Sequence, residues 1–179
     1  SPVLTEEYNF EAVIKPTSNI TGGTDGSNPV NYYGKPFVFE STANSTIYYQ
    51  TEISSVSNTN IDIYTSDTVP PSLDTGMKVF SNTISTVIQP TESELDEVFF
   101  LYVRALIIQN KETGAIKSDY NSATDGYQWS DVTELIFKHA SVGMPVMDTY
   151  SNNWYVNPTI KLTSTSTDDG AKIYYTTDP

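Results

Sequence analysis

The sequence predicts an all-β protein, on three observations. The chain has 179 residues, 13 of them Tyr, and Thr, Val and Ile recur beside these in short runs typical of strands. Gly, Pro, Asn and Asp separate the runs, as turn residues do. Runs such as Phe37-Val38-Phe39 place side chains on alternate faces of a strand. We therefore expect short strands joined by turns and packed as a sandwich.

In chain order, the first candidate strand is Tyr8–Ile14, which alternates and ends at Lys15-Pro16. It is similar to Thr133–Ala140, which precedes a second Pro-containing segment. We interpret both as the closing strand of a domain followed by a linker. The segment Ile61–Ser72 contains Ile-Tyr-Thr and could be a displaced version of the strand phrase Ile-Tyr-Tyr found at residues 47–49 and 173–175.

Residues 91–109 could form a helix or a strand. Thr91 with Glu94 matches a helix capping box, and several apolar residues that follow have helical spacing. The run Val98–Ile108, however, is dense in aromatic and branched residues, so both faces of a strand would be apolar apart from Arg104. The pattern predicts one helical turn near 92–96 and a central strand from 98 to 109.

Two long segments of the chain resemble each other, Tyr32–Glu52 and Trp154–Pro179. Each starts with an aromatic pair, reaches a Pro (Pro36 or Pro158), continues as an alternating run and a polar turn, and then reads Ile-Tyr-Tyr. Self-similarity at roughly 120 residues exceeds the period of solenoid repeats and indicates tandem whole domains.

These motifs resemble the small β-sandwich modules similar to the C-terminal domain of chitobiase/β-hexosaminidase. The matching stretches are Tyr33-Gly34-Lys35-Pro36, Ile47–Thr51 and Ile173–Asp178, and Phe100–Asn121 resembles the family's long strand, turn and second strand. The first copy lacks the family's Thr-Asp-Gly. The resemblance implies tandem immunoglobulin- or fibronectin-like sandwiches with Greek-key connections, of a kind carried by bacterial surface and secreted proteins.

The chain accordingly divides into three parts: residues 1–14 as the closing strand of a preceding domain or an N-terminal arm, 15–139 as a complete sandwich, and 140–179 as the first part of a second one. Alternation predicts an inward-facing set in the complete sandwich, consisting of Phe37, Phe39, Ile47, Val103 and Ala105 or their immediate alternates.

Charge and composition limit the partners. Lys and Arg number 9 against 22 Asp and Glu, a net charge of −13. A protein that binds nucleic acid or an anionic membrane surface needs a cationic surface of its own, so neither is expected as a partner. No apolar run reaches the length of a membrane span. The absence of Cys excludes disulfides and thiolate metal sites, and it fits a bacterial surface protein.

Candidate chemistry is sparse. His139, the single His, is expected in a linker or on the surface. Scattered acids, namely Asp25, Asp67, Asp74, Asp125, Asp168 and Asp169, fit turns better than a glycosidase pair, with calcium as the alternative for the Thr-Asp-Gly and Thr-Asp-Asp-Gly turns. Trp129, Trp154 and Tyr155 are candidates for carbohydrate contact, although a sandwich Trp more often lies in the core.

We therefore expect a non-catalytic extracellular or cell-surface module that acts in spacing, adhesion or complex assembly, without a cofactor. Two alternatives stay open: an accessory carbohydrate-binding module, and a non-catalytic subunit of a proteolytically processed surface enzyme complex. The expected partner is a protein, another copy or a fragment of the parent chain, with a glycan as the alternative. The incomplete second copy would pair through strands that contain Ile160, Leu162, Ile173 and Tyr175.

Overall fold

The structure is a computed structural model that describes residues 12–81, 87–141, 146–147, 162–163 and 173–176. Strands dominate these residues, and helix is limited to one short α-helix and one 3-10 turn. The elements in chain order are β1 (Thr17–Ser18), β2 (Val30–Tyr32), β3 (Phe39–Glu40), β4 (Thr46–Ile53), α1 (Asp62–Thr65), β5 (Lys78–Val79), the 3-10 turn (Glu92–Glu94), β6 (Val98–Asn110), β7 (Ile116–Lys117), β8 (Asp125–Trp129), β9 (Thr133–His139), β10 (Val146–Met147) and β11 (Leu162–Thr163).

Strand β6 is the centre of the largest sheet, and the predicted choice of strand over helix is confirmed. The capping box at Thr91 does form, with the Thr91 amide donating to the Glu94 carboxylate at 2.7 Å, but the turn it starts is short. Asp96 then adopts a positive φ of 66°, and its amide donates to the carbonyl of His139. This bend ends the helical turn and directs the chain into a strand beside β9.

The main sheet has seven strands. Its path runs β2-β9-β6-β4-β5, while β7 and β8 pair with the last residues of β6. Because β4 and β9 both pair with residues 99–103, they lie on opposite edges of β6. Along the last residues of β6, β7 continues the edge of β4 and β8 continues the edge of β9. The pairing of β2 with β9 is parallel, whereas the other ladders are antiparallel.

One face of this sheet forms the first core. Alternate residues of β6 contribute Phe99, Val103 and Ala105. Phe39 of β3 packs in the same core, as does Phe37, which precedes β3. All five residues predicted to face inward are buried here, Ile47 included. Val13 also packs in this core, although residues 12–14 form no strand. The rest of the predicted Tyr8–Ile14 strand lies outside the described residues.

The opposite face forms a second core under the segment 54–77. Ile63 of α1 and Met77 are each 1% exposed and pack against Tyr102 and other even-numbered residues of β6. The prediction of a strand in Ile61–Ser72 is wrong. Side chains of the sheet occupy the backbone amide and carbonyl of Ile63, which a strand would use to pair with a neighbouring strand. Gln50 accepts from the Ile63 amide at 3.0 Å, and Arg104 donates to the Ile63 carbonyl at 3.1 Å.

A second two-residue ladder lies in the part of the chain after residue 145. β10 directly follows Pro145 and pairs antiparallel with β11, as β1 directly follows Pro16 and pairs with β3. The second Ile-Tyr-Tyr differs from the first, because residues 173–176 form no strand, although a strand containing Ile173 and Tyr175 was predicted.

Candidate functional site

The most elaborate polar cluster of the described residues lies between the second face of the sheet and segment 54–77. Arg104 is its cation. The guanidinium donates from Nε to the Ser130 carbonyl at 2.9 Å, from Nη1 to the Ile63 carbonyl, and lies 4.8 Å from the ring centroid of Trp129. Burial lowers the pKa of Arg104, and Asp131 and Tyr64 oppose this shift. Arg104 therefore connects α1 to the loop after β8.

Glu134 of β9 is the main acceptor of the cluster. Its Oε1 accepts from the Ser57 hydroxyl at 2.6 Å and from the Tyr64 hydroxyl. Burial, with Glu134 adding to it, raises the pKa of Tyr64, so the phenol stays protonated and acts as a donor. The ring of Tyr64 packs edge-on against Tyr102 at 5.8 Å. These contacts fasten both ends of residues 57–64 to the sheet.

A second carboxylate, Glu52 of β4, lies in the same layer. Its Oε1 accepts from the side-chain amide of Asn58 at 2.9 Å, and the Asn58 backbone amide donates to the Tyr102 hydroxyl at 3.0 Å. Glu52 Oε2 is buried and has no hydrogen-bond partner. Glu52 and Glu134 thus both accept hydrogen bonds from the loop that covers them. The cluster holds that loop against the sheet and is not an exposed pair of acids.

Sequence reasoning missed Tyr64, Glu134 and their neighbours. The contacts join residues 70 or more positions apart, as in Tyr64 with Glu134 and Ser57 with Glu134. No spacing pattern links such pairs, because their proximity follows from the order of β4, β6 and β9 in the sheet. Arg104, in contrast, was visible in the sequence as the one charge in an apolar strand.

The acidic turns use their carboxylates internally. Asp25 accepts from the amides of Ser27 and Asn28 and from the Asn28 side chain. The Asn28 side-chain bond is the largest cause of the lowered pKa of Asp25, followed by the Ser27 amide. Asp125, in the second Thr-Asp-Gly turn (residues 124–126), accepts from Lys117 Nζ at 2.8 Å and from the Asn121 amide. The Lys117 bond is the largest cause of the lowered pKa of Asp125.

Lys117 is therefore the cation that Asp125 contacts at this turn. Asp67 and Asp74 are exposed, and Asp168 with Asp169 lies outside the described residues. In the part of the chain that the structure describes, no three His, Cys, Asp or Glu side chains cluster closely enough to hold a metal ion.

The prediction that His139 lies in a linker or on the surface is wrong. His139 is the last residue of β9 and is 3% exposed, with its ring stacked on Phe99 at 4.0 Å between centroids. Nδ1 is buried and lacks a hydrogen-bond partner. Burial lowers the pKa of His139, and Glu94 partly opposes the shift. The imidazole thus behaves as a neutral core ring.

Of the candidate carbohydrate contacts, only Trp129 is described. It is half-buried on β8 beside the second core, with Arg104 over its ring and Tyr48 at 5.8 Å. Trp154 and Tyr155 lie outside the described residues. A groove of about 480 Å³ runs between residues 15–23 and the start of β9, with Glu134 on its rim.

The strand-pairing candidates differ in their surroundings: one lies in a short strand and another is exposed. Leu162 lies in β11, opposite Met147, and is half-buried. Tyr175 is 75% exposed. Ile173 is half-buried in a segment without regular structure, and Ile160 lies outside the described residues.

Within the described residues no helix is long and apolar enough to cross a bilayer. No family model matches the chain, and neither a curated protein nor a solved structure matches it. The resemblance to chitobiase C-terminal-like modules therefore depends on the sequence motifs. What the structure adds is a chain built mostly of strands, compatible with the all-β class, whose most elaborate polar cluster holds one covering segment in place.

Proposed function

We propose that the chain is a non-catalytic module of a bacterial secreted or cell-surface protein, built as immunoglobulin/fibronectin-like sandwiches in tandem, and that it acts in spacing and in assembly with other modules. The observation that carries this proposal is the repeated ladder. A two-residue antiparallel ladder starts directly after a Pro in both places: β10 pairs with β11 after Pro145, and β1 pairs with β3 after Pro16. This similarity supports a tandem arrangement.

Serial repetition of a module is a way to set distance, because each copy adds a fixed length between whatever lies on either side. The polar clusters agree with this function. The carboxylates of Glu52, Glu134 and Asp125 accept hydrogen bonds from the module's own loops. The surplus of 13 negative charges keeps such surfaces apart and soluble.

A distance measurement between the two copies tests the spacing function. The chain has no Cys, so Val56→Cys and Thr163→Cys introduce two labels into an otherwise unlabelled protein. Val56 is 70% exposed and Thr163 is exposed on β11, so neither label disturbs a core. A control pair, Val56→Cys with Lys78→Cys, lies within the first copy.

Pulsed electron paramagnetic resonance of the two pairs should give distributions of similar width, as expected of a spacer of fixed length. A distribution between the copies several times broader than the control would contradict the spacing function, because it would show a flexible tether. Saturable binding of a glycan on an array, lost on Trp129→Ala, would instead favour the carbohydrate-binding alternative. Turnover of glycoside, ester or peptide substrates would refute the non-catalytic assignment.

A further inference from the structure

The buried imidazole of His139 lies where three elements of the main sheet meet. Its ring stacks on Phe99, near the start of β6, at 4.0 Å between centroids, and packs edge-on against Tyr32 of β2 at 6.4 Å. His139 is also in register with Tyr32 in the parallel ladder between β2 and β9. One side chain thus contacts both strands beside the end of β9.

Three main-chain hydrogen bonds fasten this end of β9. The His139 amide donates to the Glu97 carbonyl at 2.9 Å, and the His139 carbonyl accepts from the Asp96 amide at 2.6 Å. The Ala140 amide donates to the Tyr32 carbonyl at 3.1 Å. These bonds and the ring stack must open before the imidazole can reach water. Because the ends of strands open more easily than their centres, they can break while the cores stay closed.

The surroundings of the ring favour its neutral form. Nδ1 of His139 is buried without a hydrogen-bond partner. In an imidazolium both ring nitrogens are donors, so a protonated His139 in this position would bury an unpaired charged N–H group. Tyr32 faces the ring as a neutral phenol, because burial raises its pKa. Burial also lowers the pKa of His139, so the ring that reaches water is the one that takes the proton.

The charged groups near His139 do not reverse this preference. Glu94 of the 3-10 turn raises the pKa of His139, but burial is the larger effect. Asp96 and Glu97 contact His139 through main-chain groups. Lys138, the preceding residue of β9, faces the other side of the sheet, since successive side chains of a strand alternate.

We propose that His139 is an acid-sensitive latch: when the imidazole takes a second proton, its ring leaves the stack on Phe99, and the end of β9 separates from β2 and from the start of β6. Falling pH raises the population of the open latch, because only in the open form does the charged ring have water as a partner. His139 is the last residue of β9, so the latch acts where the chain leaves the main sheet. Resting on the proposed spacing function, acid would loosen the fixed distance between the copies.

Amide hydrogen exchange of the whole chain, measured by NMR near pH 7.5 and near pH 5, tests the latch. After correction for the intrinsic exchange rates, the protection of the Asp96, His139 and Ala140 amides should fall by about tenfold to 30-fold at the lower pH. The upper value is that of an open ring with the ordinary pKa of 6.5, which is almost fully protonated near pH 5. A local opening exposes little surface, so urea below the unfolding transition should not accelerate exchange at these amides, whereas it should accelerate exchange in the β4–β6 ladder.

Two variants assign the pH dependence. His139→Phe keeps a flat ring against Phe99 without a titrating nitrogen, and it should remove the pH dependence at the Asp96 and Ala140 amides. Glu94→Gln keeps a side chain suited to the capping box but loses the charge, so the pH dependence should persist. Circular dichroism spectra near pH 7.5 that match the parent show that each variant is folded.

Several results would overturn the proposal. They are unchanged protection of the three amides near pH 5, an equal loss of protection in the His139→Phe variant, and loss of the pH dependence in the Glu94→Gln variant. Exchange at the three amides that urea accelerates as strongly as in the β4–β6 ladder would also overturn it, since the proton would then be taken up by global unfolding. A broad distance distribution between the copies near pH 7.5 would contradict the spacing function alone, because the exchange measurement does not depend on it.

Discussion

Arg104→Met should destabilise the protein by about 3 kcal/mol. The substitution keeps an unbranched apolar side chain against Trp129 but removes the guanidinium, which donates to the carbonyls of Ser130 and Ile63. A hydrogen bond from a charged donor contributes roughly 1.5–3 kcal/mol, and the cation over the indole adds about 0.5–1 kcal/mol. The cost of partly burying the charge offsets some of this sum.

Urea unfolding followed by tryptophan fluorescence measures the effect, because Arg104 lies against Trp129. The midpoint should fall without a change in slope, since the same surface is exposed on unfolding. Arg104→Lys should fall in between, because an ammonium cannot donate in two fixed directions as a guanidinium does. Lys78→Met, on the exposed edge strand β5, is the control and should change stability by less than about 0.5 kcal/mol.

An Arg104→Met protein as stable as the parent would refute this reasoning. It would show that the desolvation of Arg104 cancels its two hydrogen bonds, as occurs for some buried ion pairs. A changed slope would point instead to a different native or unfolded state, in which segment 54–77 is already detached from the sheet.

Three further predictions concern the core, His139 and the Thr-Asp-Gly turn. Phe37→Ala should cost about 3–5 kcal/mol in urea unfolding because Phe37 is 1% exposed, while Val38→Ala at a 46% exposed position should cost little; equal losses would contradict the assigned faces. The folded-state pKa of His139 lies below the unfolded value, so the unfolded chain binds the proton first and stability falls as pH drops below about 6.5. His139→Phe should lose this part of the pH dependence, and a variant with the same pH profile as the parent would refute the assignment to His139. Asp125→Asn should lower the melting temperature by removing the bond to Lys117, and calcium or EDTA should leave the parent's melting temperature unchanged; an EDTA-sensitive melting temperature would show a metal at this turn.

What could be predicted from the sequence is what local patterns encode. Strand β6 was predictable because alternate and intervening residues are both apolar, which only a strand covered on two faces requires. The inward positions of Phe37 and Phe39 follow from the two-residue repeat in the same way. The burial of His139 was readable too, since it shares a strand face with Phe137, which is fully buried.

The polar cluster could not be predicted, because it depends on which strands become neighbours. Tyr64 meets Glu134 only after β4, β6 and β9 have taken their order in the sheet. The helical turn α1 has the same origin. Ile61–Ser72 contains strand-like residues, but Gln50 and Arg104 bind the backbone of Ile63 and hold it in another conformation.

The parallel pairing of β2 with β9 has a mechanical consequence. One partner lies near the start of the first copy and the other at its end, in register from Val30 with Phe137 to Tyr32 with His139. When tension is applied through residues before β2 and after β9, parallel strands slide past each other, so their hydrogen bonds are loaded together instead of opening one by one. The rate of unfolding under force is then set by the separation of this pair of strands. A force that enters the chain before β2 and leaves it after β9 would therefore be borne by this one pair of strands.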